Sequence, residues 1–195
     1  NSYDFEGIKF PELLSAVAEV SGVQRIRYTS PHPQDVNEEL LEVMQKYENI
    51  CNYIHLPLQA GSNRILKRMN RTYTKEHFIE LALKIRDYLP GAGISTDIIV
   101  GFPGETDDDF EDTIDVMKKV NFDSAYTFKY SPRKGTKATE YDDQIKESIK
   151  QDRLSRVITL QKSHTLLRNE VYVGNIENVL IEKKSKRNKS MWTGR

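Results

Sequence analysis

The stretch Gly93-Ile94-Ser95-Thr96-Asp97-Ile98-Ile99-Val100-Gly101-Phe102-Pro103-Gly104-Glu105-Thr106 constrains the fold more than any other. Ile94 to Val100 is a β-branched, mainly apolar run of strand length. A strand apolar on both faces suits a parallel sheet covered by helices, because a strand with one wet face would alternate. Two glycines and a proline follow within the four residues Gly101 to Gly104, which is turn chemistry. Thr106 is a candidate N-cap, and Asp107, Asp108 and Asp109 suit the positive end of a helix dipole as a solvated helix start. Phe110, Ile114 and Met117 then share one helical face. The stretch is therefore strand, glycine turn, helix. In α/β folds ligands gather at the carboxyl ends of strands, and glycine lets the backbone approach them. A tight βα turn needs the same glycines with no ligand at all, so the motif alone leaves both readings open.

Elsewhere the apolar spacing predicts helices over Phe10 to Val20, Asn37 to Tyr47, Ser62 to Met69, Thr74 to Leu89 and Asp107 to Val120. It predicts strands over Val23 to Ser30, Asn52 to Leu58, Ile94 to Val100 and Ser124 to Tyr130. Pro31-His32-Pro33 stops the first strand, Pro57 breaks the second, and Gln59-Ala60-Gly61-Ser62 is the turn after it. Strand and helix in alternation give an α/β chain with a parallel sheet or an arc of a barrel. Four strands are too few to close an eight-stranded barrel. Residues 1–140 are expected to form this incomplete parallel (β/α) barrel. Residues 141–173 link onward through a long polar helix from Ile145 to Tyr172. Residues 174–195 form a β-hairpin of another module, with strands over Ile176 to Glu182 and from Met191-Trp192, and a basic loop from Lys183 to Lys189 between them.

Formal net charge is zero, so no global field draws in nucleic acid. The tail from Gly174 to Arg195 departs from that balance, with six Lys or Arg against two acids, a net +4. A single cysteine, Cys51, excludes an internal disulfide and any iron–sulfur cluster ligated by cysteines of this chain alone. No apolar run reaches membrane-spanning length and no signal peptide is visible, so no membrane partner is expected and a cytoplasmic setting fits. The start at Asn1 rather than Met suggests a piece of a longer protein.

Five segments together resemble the radical S-adenosylmethionine methylthiotransferases. They are His55-Leu56-Pro57-Leu58-Gln59-Ala60-Gly61-Ser62-Asn63, Met69-Asn70-Arg71-Thr72-Tyr73-Thr74, the Ser95 to Thr106 part of the opening stretch, Phe122-Asp123-Ser124, and Tyr130-Ser131-Pro132-Arg133-Lys134-Gly135-Thr136. Asn1-Ser2-Tyr3 is similar to the end of a further motif of the same family. The likeness is strongest to the branch that methylthiolates C2 of N6-isopentenyladenosine beside the tRNA anticodon. The branch acting on N6-threonylcarbamoyladenosine comes second.

The resemblance implies a radical-SAM TIM-type partial barrel followed by the start of a small all-β TRAM domain that binds RNA. It implies S-adenosylmethionine and two [4Fe-4S] clusters in the whole protein, with cluster cysteines outside this chain, so no metal ligand and no catalytic residue is assigned here. It also implies the tRNA anticodon stem-loop as partner and a flavodoxin-type reductant. Gly101, Phe102 and Pro103 would pass the adenine of the cofactor, with Ile99 and Val100 in apolar contact. Asp97, mid-strand, must be paired or hydrogen-bonded if buried, to the cofactor or to a cation such as Arg27. His55 and Gln59 are candidates for the ribose or methionyl group, against the plain alternative of satisfied core residues. Arg133, Lys183, Lys184, Lys186 and Arg187 would meet RNA phosphates, with Trp192 stacking on a base; a solvated basic face is the plain alternative. Two other classes remain: a non-catalytic RNA-binding module, and a metal-dependent barrel hydrolase using His32, His55 and Asp97, for which no ligand spacing argues.

Overall fold

The computed structural model describes residues 3–29 and 31–194. Asn1, Ser2, Ser30 and Arg195 lie outside them, and with them the Asn1-Ser2 motif end, the expected end of the first strand and the last basic residue of the tail. A short antiparallel pair, β1 (Asp4–Phe5) and β2 (Ile8–Lys9), leads into helix α1 (Phe10–Ala18). Then follow α2 (Glu38–Lys46), β3 (Tyr53–His55), α3 (Asn63–Arg68), α4 (Lys75–Tyr88), β4 (Gly93–Val100), α5 (Asp107–Val120) and β5 (Ser124–Lys129). The long helix α6 (Glu147–Glu170) precedes an antiparallel pair, β6 (Ile181–Lys184) and β7 (Trp192–Gly194).

Local chemistry sets the helix starts. The side chains of Asn37, Ser62, Thr74 and Thr106 each accept from the backbone N–H three residues on. Each acceptor satisfies a first-turn N–H that has no partner within its helix. At Thr106 the bond is reciprocated, since Thr106 N–H donates to Asp109 Oδ2 at 2.8 Å.

The sheet is parallel with order β3-β4-β5, as alternating strands and helices require. Ile94, Ile98 and Val100 of central β4 are fully buried and join Phe78, Ile85, Phe110 and Met117 in one core. Residues of opposite parity, Ser95, Asp97 and Ile99, share the other face with Tyr126 and Phe128 of β5, their register neighbours or next but one. Tyr126 and Phe128 are more than half exposed, so this second face is open.

The first expected strand does not form. Over residues 23–29 the pairing is a single parallel bridge, Ile26 with Ile50, made by Ile26 N–H to Asn49 O and Cys51 N–H to Ile26 O. The chain cannot extend this ladder past Pro31 and Pro33, which lack N–H donors. The second strand is shorter than expected because Pro57 interrupts it. Pairing with β4 resumes at Gln59, where four steps from His55 face three from Ser95 to Ile98. The extra residue is absorbed by Gln59 itself, whose φ is +70°.

Helix α6 runs antiparallel to β5. Near its start Lys150 Nζ donates to Tyr130 O at 3.3 Å and Arg153 meets Glu105, both at the carboxyl edge of the sheet. Near its end Thr165 Oγ1 donates to Asp123 O, and Arg168 reaches Asp123 and Ala92 O, at the amino edge. The hairpin follows from there. Its strands are later and shorter than expected: Ile176 is fully exposed and unpaired in the ladder, and Lys183 and Lys184 sit on β6 rather than in the loop. Ser185 Oγ accepts from the N–H groups of Arg187 and Asn188, which fixes where the turn begins. Among the described residues no helix is long and apolar enough to cross a membrane.

Candidate functional site

The loops that follow β3, β4 and β5 share one cleft of about 930 Å³ at the carboxyl edge of the sheet. Gln59 comes from the first loop, Phe102 from the second, and Ser131, Arg133 and Thr136 from the third. Asp97 and Ile99 form the floor, with Phe128 and Tyr130 beside them. Phe102 stands edge-on between Tyr130 at 5.1 Å and Tyr141 at 6.4 Å, giving an aromatic wall. The Arg68 guanidinium covers Tyr141 at 4.5 Å and donates to Asp143 Oδ1 at 2.8 Å.

The glycine turn is built from below. Gly101 has φ +72°, and a Cβ there would lie 2.4 Å from Lys150 Cγ. Its N–H donates to Glu105 Oε2 at 2.6 Å. Arg153 from α6 donates to the same Glu105 oxygen at 2.7 Å, to Glu105 O at 3.0 Å, and to Asp107 Oδ1 at 2.7 Å. Side-chain exposure is 6% for Arg153 and 1% for Glu105, so this ion pair is dry. Burial pushes the Glu105 carboxyl above its ordinary value, while Gly101 N–H and Arg153 pull it partway back.

The acids at the start of α5 are not all solvated, contrary to expectation. Asp107 pairs with Arg153. Asp109 is buried and accepts from Arg64, from Ser62 Oγ at 2.5 Å and from Thr106 Oγ1 at 2.7 Å. Burial alone would raise its carboxyl; these hydrogen bonds outweigh that and hold it well below the ordinary carboxylate range. Asp107 and Asp108 stay exposed as expected, while Asp109 turns toward α3, which the sequence does not reveal.

Of the residues proposed from sequence, Gln59, Asp97, Phe102 and Arg133 line the cleft together. His55 lies next to them without lining it: Nε2 is 3.4 Å from Asp97 Oδ2, Nδ1 is 2.8 Å from Ser95 Oγ, and the ring meets Tyr126 edge-on at 5.9 Å. Asp97 is therefore paired with His55 and not with Arg27, which instead covers the Tyr53 ring at 4.8 Å. The alternation of β4 puts Ile99 in the cleft and turns Val100 into the core, so the expected apolar contact comes from Ile99 alone. Gly101 and Pro103 are buried behind Phe102 and shape the turn without lining the cleft. Lys183, Lys184, Lys186, Arg187 and Trp192 lie apart, on the hairpin. There Lys184 Nζ sits 4.1 Å from the Trp192 ring centre, so one face of that indole already carries a cation.

Sequence reasoning missed Tyr130 and Tyr141 as cleft walls and Lys67, Arg71 and Lys137 as cleft cations. Arg71 lies inside the Met69 to Thr74 segment singled out above, so its position was visible while its direction was not. His32 caps a short 3-10 helix, accepting from Gln34 N–H, and stands 5.5 Å from Tyr73. Among the described residues no group of three or more His, Cys, Asp or Glu could hold a metal ion, so the hydrolase site does not assemble.

The cleft's lining fits a nucleoside with a polar tail. Apolar and aromatic walls stand beside Gln59 and Asp97, and the buried Tyr130 hydroxyl and Arg71 Nε have no hydrogen-bond partner among the described residues. The residues present do not fit an iron–sulfur cluster, since Cys51 is the only cysteine.

The description "Radical SAM superfamily" matches residues 4–117. Proteins named tRNA-2-methylthio-N(6)-dimethylallyladenosine synthase are similar across nearly the whole chain. The one from Finegoldia magna is 48% identical over 96% of this chain and 41% of its own length. That from Moorella thermoacetica is 47% identical over 97% and 43%, and that from Fusobacterium nucleatum 48% over 100% and 46%. The chain thus spans less than half the length of these relatives. Among solved structures, Escherichia coli coproporphyrinogen III oxidase (HemN), described as a radical SAM enzyme, matches with TM-score 0.57 at 19% identity, over 69% of this chain and 31% of that one. Methanocaldococcus infernus Elp3 matches with TM-score 0.53 at 20% identity, over 69% and 32%. At such identities the likeness is one of fold. With more than half of its residues matching the family description, and its fold recurring in a solved radical SAM enzyme, the chain belongs to the radical SAM superfamily.

Proposed function

We propose that this chain is the cofactor-binding portion of a tRNA methylthiotransferase, acting on C2 of N6-isopentenyladenosine beside the anticodon. The observation that carries this is identity of 46–48% over at least 94% of the chain with proteins whose names state that product. The shared cleft gives the reading its chemistry. When bound, S-adenosylmethionine and the iron–sulfur clusters supply the radical, sulfur and methyl chemistry. This chain binds and orients. Ile99, Phe102 and Phe128 offer apolar surface to the adenine. Gln59 and Asp97 offer hydrogen bonds to the ribose and the ammonium of the methionyl group. His55 fixes the Asp97 carboxylate, and Val100, Gly101 and Pro103 hold the shape of the turn. The hairpin is read as the first part of a TRAM domain, with Lys183, Lys184, Lys186 and Arg187 on RNA phosphates and the free face of Trp192 open to a base. Arg133 meets RNA at the cleft. A flavodoxin-type reductant and a cytoplasmic setting complete the reading.

The test is nucleoside mass spectrometry. The full-length protein, reconstituted without oxygen, is given reductant, S-adenosylmethionine and tRNA bearing isopentenyladenosine. The 2-methylthio derivative is the expected product. Product on threonylcarbamoyladenosine alone, or none with clusters intact, overturns the reading.

A further inference from the structure

Six cations line the cleft, Lys67, Arg68, Arg71, Lys129, Arg133 and Lys137, against one acid, Asp97. Two of them are neutralised: Arg68 by Asp143 and Lys129 by Glu147. The other four have no carboxylate partner among the described residues. They come from two separate segments. Lys67 and Arg71 come from the end of α3 and the turn after it. Arg133 and Lys137 come from the segment after β5. Asp97 and Ile99 of β4 form the floor of the same cleft. Arg71 is half-buried, and its Nε is wholly shielded with no acceptor.

We infer that Lys67, Arg71, Arg133 and Lys137 together form a phosphate clamp at the cleft that grips the RNA backbone around the nucleotide entering it. This rests on the proposed tRNA substrate and goes beyond it by adding Lys67, Arg71 and Lys137 to Arg133 as backbone contacts at the cleft. The charge pattern argues for a polymer. Four cations without a carboxylate partner exceed the charge that one small anion carries, and suit a chain of phosphates. The floor holds Asp97, which repels phosphate, so the backbone stays at the rim and only an uncharged base goes inward. Phosphate contacts set register without reading sequence, and this is what such a clamp contributes.

The test uses the full-length protein and tRNA, with filter binding over a series of salt concentrations. The variants are K67Q/R71Q, R133Q/K137Q, and R71K as a charge-retaining control. Each phosphate contact contributes roughly 0.7–0.9 to the slope of log affinity against log salt. Each double variant is therefore expected to flatten the slope by about 1–2, while R71K keeps it. Unchanged slopes in both double variants overturn the clamp. Affinity for S-adenosylmethionine, measured by equilibrium dialysis, is expected to stay within twofold. A tenfold loss there with an unchanged salt slope would mean the cations serve the cofactor carboxylate, and also overturns it. Lys67, Arg133 and Lys137 are exposed, so K67Q and R133Q/K137Q keep the test open should R71Q fail to fold. Product analysis separates the two readings: lost salt slope with no 2-methylthio product from the wild type sinks the proposed reaction and leaves the clamp standing.

Discussion

Replacing Arg153 by Met tests whether α6 holds the glycine turn. The substitution keeps most of the side-chain length and removes three hydrogen bonds, two to Glu105 and one to Asp107. Asp107 is 95% exposed, so water replaces its partner at little cost. Glu105 is different. Its carboxylate is left with Gly101 N–H and no cation, and breaking a buried pair by removing one partner costs about 3–5 kcal/mol. Burial already raises this carboxyl and Arg153 is among the groups that pull it back, so its charged form is weakly favoured at the outset and the lower figure applies. The expectation is about 3 kcal/mol. With a urea m-value on the order of 2 kcal/mol per molar, the midpoint falls by about 1.5 M. Circular dichroism at 222 nm on the 195-residue chain reads this. Adding Glu105→Gln, which keeps an acceptor for Gly101 N–H and removes the charge, should restore about 1–2 kcal/mol. A midpoint shift under about 0.4 M for Arg153→Met, or strict additivity in the double variant, would refute the idea that these residues act as one dry unit.

Gly61→Ala should destabilise by about 2–3 kcal/mol and lower the Tm by about 6–9 °C in calorimetry, because the new Cβ would lie 2.4 Å from Thr113 Cα and 2.6 Å from Asp112 O, both backbone atoms of α5. Asp109→Asn should cost most near neutral pH: a carboxyl held low stabilises the fold above its unfolded pKa, and that contribution fades as pH falls through the native value, so the gap between wild type and variant should close in acid. Glu105→Gln should show the opposite trend, since a raised carboxyl favours the fold below its unfolded pKa and loses that advantage as pH rises through the native one. Asp97→Asn in the full-length protein should weaken S-adenosylmethionine binding about 10-fold or more through a lost charge-assisted hydrogen bond; affinity within twofold of wild type would leave Asp97 as a partner for His55 only.

The α/β alternation was readable because it rests on local chemistry. The apolar run of β4, the capping residues Asn37, Thr74 and Thr106, and the glycine turn each carry their own signal. Gln59, Asp97 and Phe102 were legible as cleft residues for the same reason, since loops at one edge of a parallel sheet must meet. What failed depended on partners distant in sequence. Residues 23–29 alternate like a strand, yet pair at Ile26 alone. Val100 and Ile99 look alike in sequence, and only the register of β4 decides which one faces the cleft. Arg153 lies 48 residues from Glu105, and nothing in a polar helix marks one arginine as buried. Asp109 looked like one of three solvated acids until α3 supplied Arg64 and Ser62.

The direction of α6 has a geometric consequence. At 24 residues and 1.5 Å each, the helix is about 36 Å long. Its first turns are bolted beneath the glycine turn by Lys150 and Arg153, and its last turns reach Asp123 at the opposite rim. The hairpin thus follows the far end of a stiff rod, after the irregular residues 171–180. A mononucleotide is too small to touch both ends of that rod, so a ligand that met the cleft and the hairpin together would have to be a macromolecule.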